Sequence, residues 1–426
     1  MLILVLVIMA VGFIIGLPVA FTLGSAALAY FLADPFLPNV MVPMRLVVGA
    51  QSHGLMAIPL YMLAGNLMNS TGLTDRIFRF TKALVGHFAG GTAYVNIIAS
   101  FIFSGMSGSE LADASGLGSV LIPSMVDEGY DCEFSTAVTA ASSTIGPIFP
   151  PSIPLVLIGG VTGISVGRLF MGGVVPGILL AIYMMVLVYF ISKKRNYPKN
   201  TGFSGKELFK SFIHAFPALT TPVVIIGGIL GGFFTPTEAG VVAVVYALFI
   251  AGVVYRDIKS FSIIFEQLVK TAIYSAKIMF IVGSAYALAW VLARVQVGSI
   301  LTNYLTDVST NPLIVLSIIC LAFLLFGCFL NPSAIIIIFV PLLMPVINAV
   351  GIDPVHFGVV ATLVLMIGLA TPPFGLAMFI VCDIGNLSIG KFTKGMIPFY
   401  IALIVAVITM ILIPQVVTYV PNVFFG

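Results

Sequence analysis

Long apolar runs separated by short polar interruptions make up most of the chain, and two of those interruptions fall inside runs long enough to cross a bilayer. One is Ser142-Ser143-Thr144-Ile145-Gly146-Pro147-Ile148-Phe149-Pro150-Pro151-Ser152; the other is Gly368-Leu369-Ala370-Thr371-Pro372-Pro373. Gly and Pro at this density cannot continue an α-helix, because each Pro removes a donor and clashes with the preceding turn. Broken backbone persists at membrane depth only where protein buries it or where it lines a polar cavity. The pattern predicts two discontinuous helices, over about 135–160 and about 357–381. Two other stretches carry apolar arms around a small polar tip. Residues 88–125 hold Ser104-Gly105-Met106-Ser107-Gly108-Ser109-Glu110, and residues 312–346 hold Gly327 and Asn331-Pro332. The first pair of arms is too short for two crossings and a loop, so a re-entrant hairpin is expected, and the second stretch repeats the pattern.

A hydrophilic stretch opens with Lys193-Lys194-Arg195 and runs through Pro198, Lys199, Gly202, Gly205, Lys206 and Lys210. It divides the chain into an N-terminal half (1–192), a linker (193–215) and a C-terminal half (216–426). Residues 2–33, interrupted by Pro18, predict two short spans or one kinked span, read as mature membrane helix rather than a signal peptide. Arg45 is expected in an interfacial loop. Leu73, Ile77, Phe80 and Leu84 recur at helical spacing while Asp75, Arg76, Arg79 and Lys82 fall elsewhere, which predicts a helix lying along the interface. Residues 294–309 offer a second such helix.

The two halves repeat. At an offset of 222 positions Gly105 matches Gly327, Pro123 matches Pro345, Gly146 matches Gly368, Pro150-Pro151 matches Pro372-Pro373 and Pro176 matches Pro398. Ser165-Val166-Gly167-Arg168 pairs with Ser388-Ile389-Gly390-Lys391 after a one-residue slip. Placing the 193–210 segment in the cytoplasm also puts Arg76, Arg79, Lys82, Arg256, Lys259, Lys270, Lys391 and Lys394 there, leaving Arg45, Arg168 and Arg294 outside. Equivalent elements then lie on opposite sides, so the repeat is expected to be inverted. The fold class expected is an all-α polytopic membrane protein with inverted repeats, two re-entrant hairpins and two discontinuous helices.

Composition agrees. The 426 residues are 60% hydrophobic and 8% charged, against about 25% charged in soluble domains. At roughly 20 residues per span the length accommodates about ten to twelve crossings. The net charge of +3 comes from basic residues scattered at segment ends and gives no sign of nucleic-acid binding. Four cysteines show no metal spacing, and His53, His87, His214 and His356 form no HExxH pair. No P-loop is present, so ATP does not drive the chemistry from this chain, and no paired carboxylates suggest an enzyme.

What the interruptions offer is oxygen. Binding of Na⁺ needs carbonyls from irregular backbone and hydroxyls, and the tips and breaks supply both. In the first half the candidate ligands are Ser104, Gly105, Ser109, Ser142, Ser143 and Gly146; in the second they are Gly327, Asn331, Gly368 and Thr371, so at least two ion sites are expected. Ser107 and Ser152 are candidates to hydrogen-bond a substrate, and half-helix N-termini facing one cavity favour an anionic one. The alternative for any single Gly or Ser is that it lets helices pack closely. Glu110 and Asp113 are costly charges near membrane depth and functional candidates by default, unless Glu110 sits at a wet hairpin mouth. Lys277 is expected to snorkel or pair within the bundle, and Glu238 to suit the positive end of a helix dipole.

The stretches Phe103-Ser104-Gly105-Met106-Ser107-Gly108-Ser109, Ile145-Gly146-Pro147 with Pro150-Pro151-Ser152, Phe234-Thr235-Pro236-Thr237-Glu238-Ala239, and Thr371-Pro372-Pro373 are together similar to the large membrane subunit of tripartite ATP-independent periplasmic (TRAP) transporters. That resemblance implies an elevator-type ion-transporter-like fold and a Na⁺-coupled importer in a bacterial inner membrane. It also implies two partners, a small four-helix membrane subunit and a soluble periplasmic substrate-binding protein, with neither expected to be fused here. Ser104–Gly118, including Leu111-Ala112-Asp113-Ala114, resembles the branch that imports sialic acid and related sugar acids; C4-dicarboxylates and other organic acids stay open. One departure is Asn331, where family members often carry Asp or Glu; its carbonyl can still coordinate. A stand-alone ion or anion transporter of similar fold, needing no binding protein, is the rival reading. A membrane-embedded subunit without flux is a third.

Overall fold

Apolar runs become helices throughout, and among the described residues no β-strand forms. The computed structural model describes residues 1–38, 40–51, 53–198, 202–258 and 260–426; Lys199 of the linker and Lys259 of the charge count lie outside these. Six helices are long and apolar enough to cross a membrane among the described residues, or up to eight if each of two bent pairs is one span. That is fewer than the ten to twelve expected from length. The difference lies in the interrupted regions, whose helices are 7 to 18 residues long, mostly shorter than the roughly 20 residues a crossing takes. Large apolar side chains such as Phe190, Phe216, Phe261, Leu321 and Ile401 remain exposed, as a surface bathed in lipid tails requires.

Residues 2–33 form two helices, Leu2–Ile14 and Val19–Ala33, packed against each other. Arg45 sits within the helix Met41–Ala50, not in a loop. This helix packs along Phe261–Arg294, and the Arg45 guanidinium lies 5.5 Å from the Trp290 ring centroid, a partner that holds it in place. The linker is shorter than expected. Val166–Arg195 continues through Lys193-Lys194-Arg195, whose charges suit a helix C-terminus, and Gly205–Leu230 starts behind a Ser204 cap. After Ile389–Leu412 a last helix, Gln415–Phe425, packs back on Val166–Arg195.

Ion pairs sort the charges by end. The helix Leu73–Val85 buries Leu73 and Ile77 and extends three cations: Arg76 to Asp257 at 2.6 Å, Arg79 to Glu207 at 2.7 Å and Lys82 to Glu128 at 2.8 Å. Three residues beyond Glu128, Asp131 takes Arg195 at 2.5 Å. Those basic residues therefore share one end of the molecule. Phe261–Arg294 starts beside Asp257 and, at 34 residues, runs about 50 Å to the other end, where Arg294 meets Asp34 at 3.4 Å. The cationic bias expected of the cytoplasmic side is thus gathered at a single end. Glu238 closes a reciprocal capping box with Thr235 at the start of Pro236–Phe249, the helix N-terminus expected for it.

At the basic end the Tyr197 hydroxyl donates to Asp131 at 2.6 Å and, with Arg195, holds that carboxyl below its usual range. A depressed carboxyl stabilises the fold above its unfolded pKa of about 3.9 and loses that contribution as pH falls through the folded value. Tyr197→Phe is expected to cost roughly 0.5 kcal/mol at neutral pH, a small figure because the Asp131 carboxylate is half exposed. The deficit should vanish in acid, as read from unfolding temperatures at both pH values.

Candidate functional site

The first polar tip is a tight turn. Gly91–Ser107 ends with Gly108 in the left-handed region at φ 60°, a conformation only glycine adopts without strain. Ser109 then caps the short helix Glu110–Gly116, its hydroxyl accepting from the Ala112 N–H at 3.5 Å. The tip touches the first break directly, the Ile153 N–H donating to the Gly108 carbonyl at 3.2 Å. A Cβ on Gly108 would lie 2.5 Å from the Pro151 carbonyl oxygen.

The Asp113 side chain lies between the same two elements. Its Oδ1 accepts a short hydrogen bond from Ser107, and its Oδ2 lies where a Cβ on Gly146 would be, 2.4 Å away. That break runs from Cys132–Ser143 to Ile153–Thr162 and contains a cis Pro150–Pro151 bond. Its polar residues are satisfied locally. Ser152 donates to the Pro147 carbonyl and accepts from Leu155 N–H at 3.2 Å, and Ser143 donates to the Ala140 carbonyl at 2.8 Å. Behind it, the wholly buried Asn96 donates to Thr139 at 2.7 Å and accepts from Ser142 at 3.0 Å, with Ser100 donating to Ser142 at 2.9 Å. In a low-dielectric interior such a closed network fixes the register of two helices.

The second half repeats the construction with different contacts. The helices Pro312–Gly327 and Pro332–Ala349 enclose a tip capped by Asn331, which accepts from Ser333 N–H at 2.9 Å. Again the tip holds the break, here by Phe374 N–H donating to the Cys328 carbonyl at 3.2 Å. The break, between Pro354–Leu369 and Leu376–Ile384, carries a cis Pro372–Pro373 bond. Gly327 and Gly368 pack backbone to backbone; a Cβ on Gly368 would be 2.7 Å from the Gly327 Cα. Their sequence equivalents do not meet this way, since Gly105 faces Pro222 of Gly205–Leu230 and Gly146 faces Asp113. Thr371 donates to the Ile367 carbonyl at 2.6 Å, and Tyr400 secures the neighbouring Ala370 carbonyl at 2.9 Å.

A cavity of about 390 Å³ opens between the two halves. Ser107, Ser109 and Glu110 line it from the first tip, Asn331 and Ser333 from the second, and Pro147 and Ile153 from the first break. Asn66 and Lys270 come from two flanking helices, Ala57–Ser70 and Phe261–Arg294, which an Asn66–Thr271 bond of 3.2 Å joins. Of the residues singled out in the sequence, Ser107, Ser109, Glu110 and Asn331 therefore line one cavity. Gly146, Gly327 and Gly368 lie at tip-to-break contacts. The Ser142, Ser143 and Ser152 hydroxyls are buried and committed to protein, and Ser104 donates to the Phe101 carbonyl at 2.6 Å. Lys277 is exposed on the outer face of its helix. Sequence reasoning passed over Asn66 and Asn96, although an isolated amide inside an apolar span is itself a signal.

A family model described as "Tripartite ATP-independent periplasmic transporter, DctM component" matches residues 2–416. The sialic acid TRAP transporter large permease protein SiaM of Vibrio cholerae serotype O1 is 44% identical over 411 residues, 96% of each chain. The C4-dicarboxylate TRAP transporter large permease protein DctM of the same organism is 34% identical, over 97% of this chain and 96% of that one. Among solved structures, the YdaH transporter of Alcanivorax borkumensis superposes with a TM-score of 0.64 at 13% identity, covering 88% of this chain and 87% of the other. At that identity the likeness is one of fold.

Proposed function

The chain belongs to the DctM-component family of tripartite ATP-independent periplasmic transporters, as a large permease subunit in the inner membrane, and from this premise we propose that it imports an organic acid together with Na⁺ in an elevator-type cycle. Sialic acid is the first choice of substrate and a C4-dicarboxylate or another sugar acid the second. A small membrane subunit braces the chain and a periplasmic binding protein delivers the acid. The observation that carries this reading is a cavity lined together by both tips and the first break.

Oxygen donors suit Na⁺ as co-substrate: tip and break carbonyls, with Ser107, Ser109 and Asn331 nearby, make a hard, weakly charged ligand set. Each tip hydrogen-bonds its own break, so tip and break move as a unit. Ions that order the tips raise affinity for the acid, and by linkage the acid raises affinity for the ions. With two Na⁺ per monoanion each cycle moves one positive charge inward, worth about 2.3 kcal/mol per 100 mV, roughly a 40-fold accumulation. The hairpins enter and leave on one side in this reading, and the two repeats are inverted.

The test is uptake of labelled sialic acid into proteoliposomes, with and without the small subunit and binding protein, under an inward Na⁺ gradient. Uptake that needs every component and Na⁺ is expected. Uptake by the chain alone would make it a stand-alone transporter. Silence with sialic acid followed by Na⁺-driven uptake of a dicarboxylate would replace the substrate and keep the mechanism.

A further inference from the structure

We propose that Glu110 sets the cargo class of the cavity, accepting hydrogen bonds from the hydroxyls of a polyhydroxylated monocarboxylic acid and repelling a second carboxylate. This deepens the transport reading above and rests on it.

Among the described residues, Glu110 and Lys270 are the charged side chains on the cavity wall. Glu110 is 2% exposed, and neither Oε1 nor Oε2 has a hydrogen-bond partner in the protein. Leaving two carboxylate oxygens buried without donors is costly, so the position favours a guest that brings donors. The neighbouring Asp113 is different. Ser107 occupies one of its oxygens; the other has no hydrogen-bond partner but is covered by Gly146, and Asp113 is not among the residues that line the cavity. Lys270 stands on the flanking helix among the cavity-lining residues, 60% exposed and paired with Glu266 at 2.6 Å, so an anionic group would share it with or take it from that exposed carboxylate. The remaining polar lining is neutral amides and hydroxyls, from residues such as Asn66, Ser107, Tyr274, Asn331 and Ser333.

A cavity with one free buried carboxylate and one cation at its rim accepts a molecule that is anionic at one end and rich in hydroxyl or amide N–H donors at the other. A dicarboxylate brings a second negative charge toward Glu110 in a poorly screened site, where like charges repel strongly. A site built to hydrogen-bond a substrate hydroxyl also rejects an analogue without one, because its own polar group is then left unpaired.

The experiment measures binding of labelled sialic acid, and its displacement by succinate, on the purified permease complex in Na⁺ without the binding protein. Wild type is compared with Glu110→Gln and Glu110→Ala. Glu110→Gln keeps the size and one acceptor oxygen and removes the charge, so succinate should bind at least tenfold more tightly while sialic acid changes by less than about fivefold. Glu110→Ala should weaken sialic acid at least tenfold. If the alanine variant does not assemble, the near-isosteric glutamine variant carries the test. A sialic acid to succinate affinity ratio within twofold of wild type in both variants overturns the inference alone, as does a wild-type preference for succinate. Binding of neither acid by the wild-type complex overturns this inference, while absence of any Na⁺-driven uptake by the fully reconstituted complex overturns the transport reading.

Discussion

Replacing Gly368 by valine is expected to reduce Na⁺-driven uptake roughly a hundredfold, one of the two largest losses foreseen here. Its missing Cβ is the space in which the second tip lies. A side chain there would start 2.7 Å from both Cα and the carbonyl carbon of Gly327 and 3.2 Å from the Cys328 nitrogen. All three are backbone atoms, so no side chain can swing aside to relieve the contact. The tip must move off the break, stretching the Phe374–Cys328 hydrogen bond of 3.2 Å that joins them. Overpacking of this kind costs about 1–3 kcal/mol, and about 1.4 kcal/mol is a factor of ten in any equilibrium that assembles the site. Gly327→Val should act in the same direction but less severely, because a Cβ there would lie 3.2 Å from the Gly368 Cα and the Leu365 carbonyl oxygen. Gly390→Ala is the control, since nothing lies within 4 Å of its position. Initial uptake rates in proteoliposomes check the prediction, with unfolding temperatures to separate a displaced tip from a failed fold.

Gly108→Val should be comparably damaging, for two reasons that can be separated. Its φ of 60° is left-handed, costing a residue with a Cβ about 1–2 kcal/mol. Its Cβ would also meet the Pro151 carbonyl oxygen at 2.5 Å, against the first break. Asparagine tolerates the left-handed region, so Gly108→Asn removes much of the strain and keeps the clash. Uptake by Gly108→Asn should stay at least tenfold below wild type, because the contact dominates. Recovery to wild-type rates would show that only the backbone conformation mattered.

These two positions also show what could be read without coordinates. The breaks were legible because Pro147, Pro150, Pro151, Pro372 and Pro373 cluster beside Gly146 and Gly368, whereas single prolines such as Pro176, Pro222 and Pro398 stand inside continuous helices. The tips were legible for a similar reason, as Gly and Ser clusters between apolar arms. Which groups meet across space was not. An offset of 222 makes Gly105 equivalent to Gly327 and Gly146 to Gly368, yet one pair touches and the other has Pro222 and Asp113 as neighbours. Hydroxyls were the other difficulty. Ser142 and Ser143 face the break in sequence, but serine in a helix can bond back to a carbonyl three or four residues earlier, and both do. A cation usually marks a loop in an apolar chain, whereas Trp290 gives Arg45 a partner on a helix. Pro414 and Pro421 interrupt the apolar pattern of the helix Gln415–Phe425 and hide it in the sequence.

The account stands on the acid and Na⁺ meeting in the cavity between both tips. Thiol protection tests this most directly, using Ser109→Cys and Ser333→Cys, one on each tip, in a chain whose four native cysteines are replaced by serine. Both positions line the cavity and are partly accessible. With Na⁺ and the transported acid together, modification of both cysteines by a small polar thiol reagent should slow at least fivefold. Rates unchanged by acid and Na⁺, or protection of one tip alone, would contradict a single site shared by the two halves.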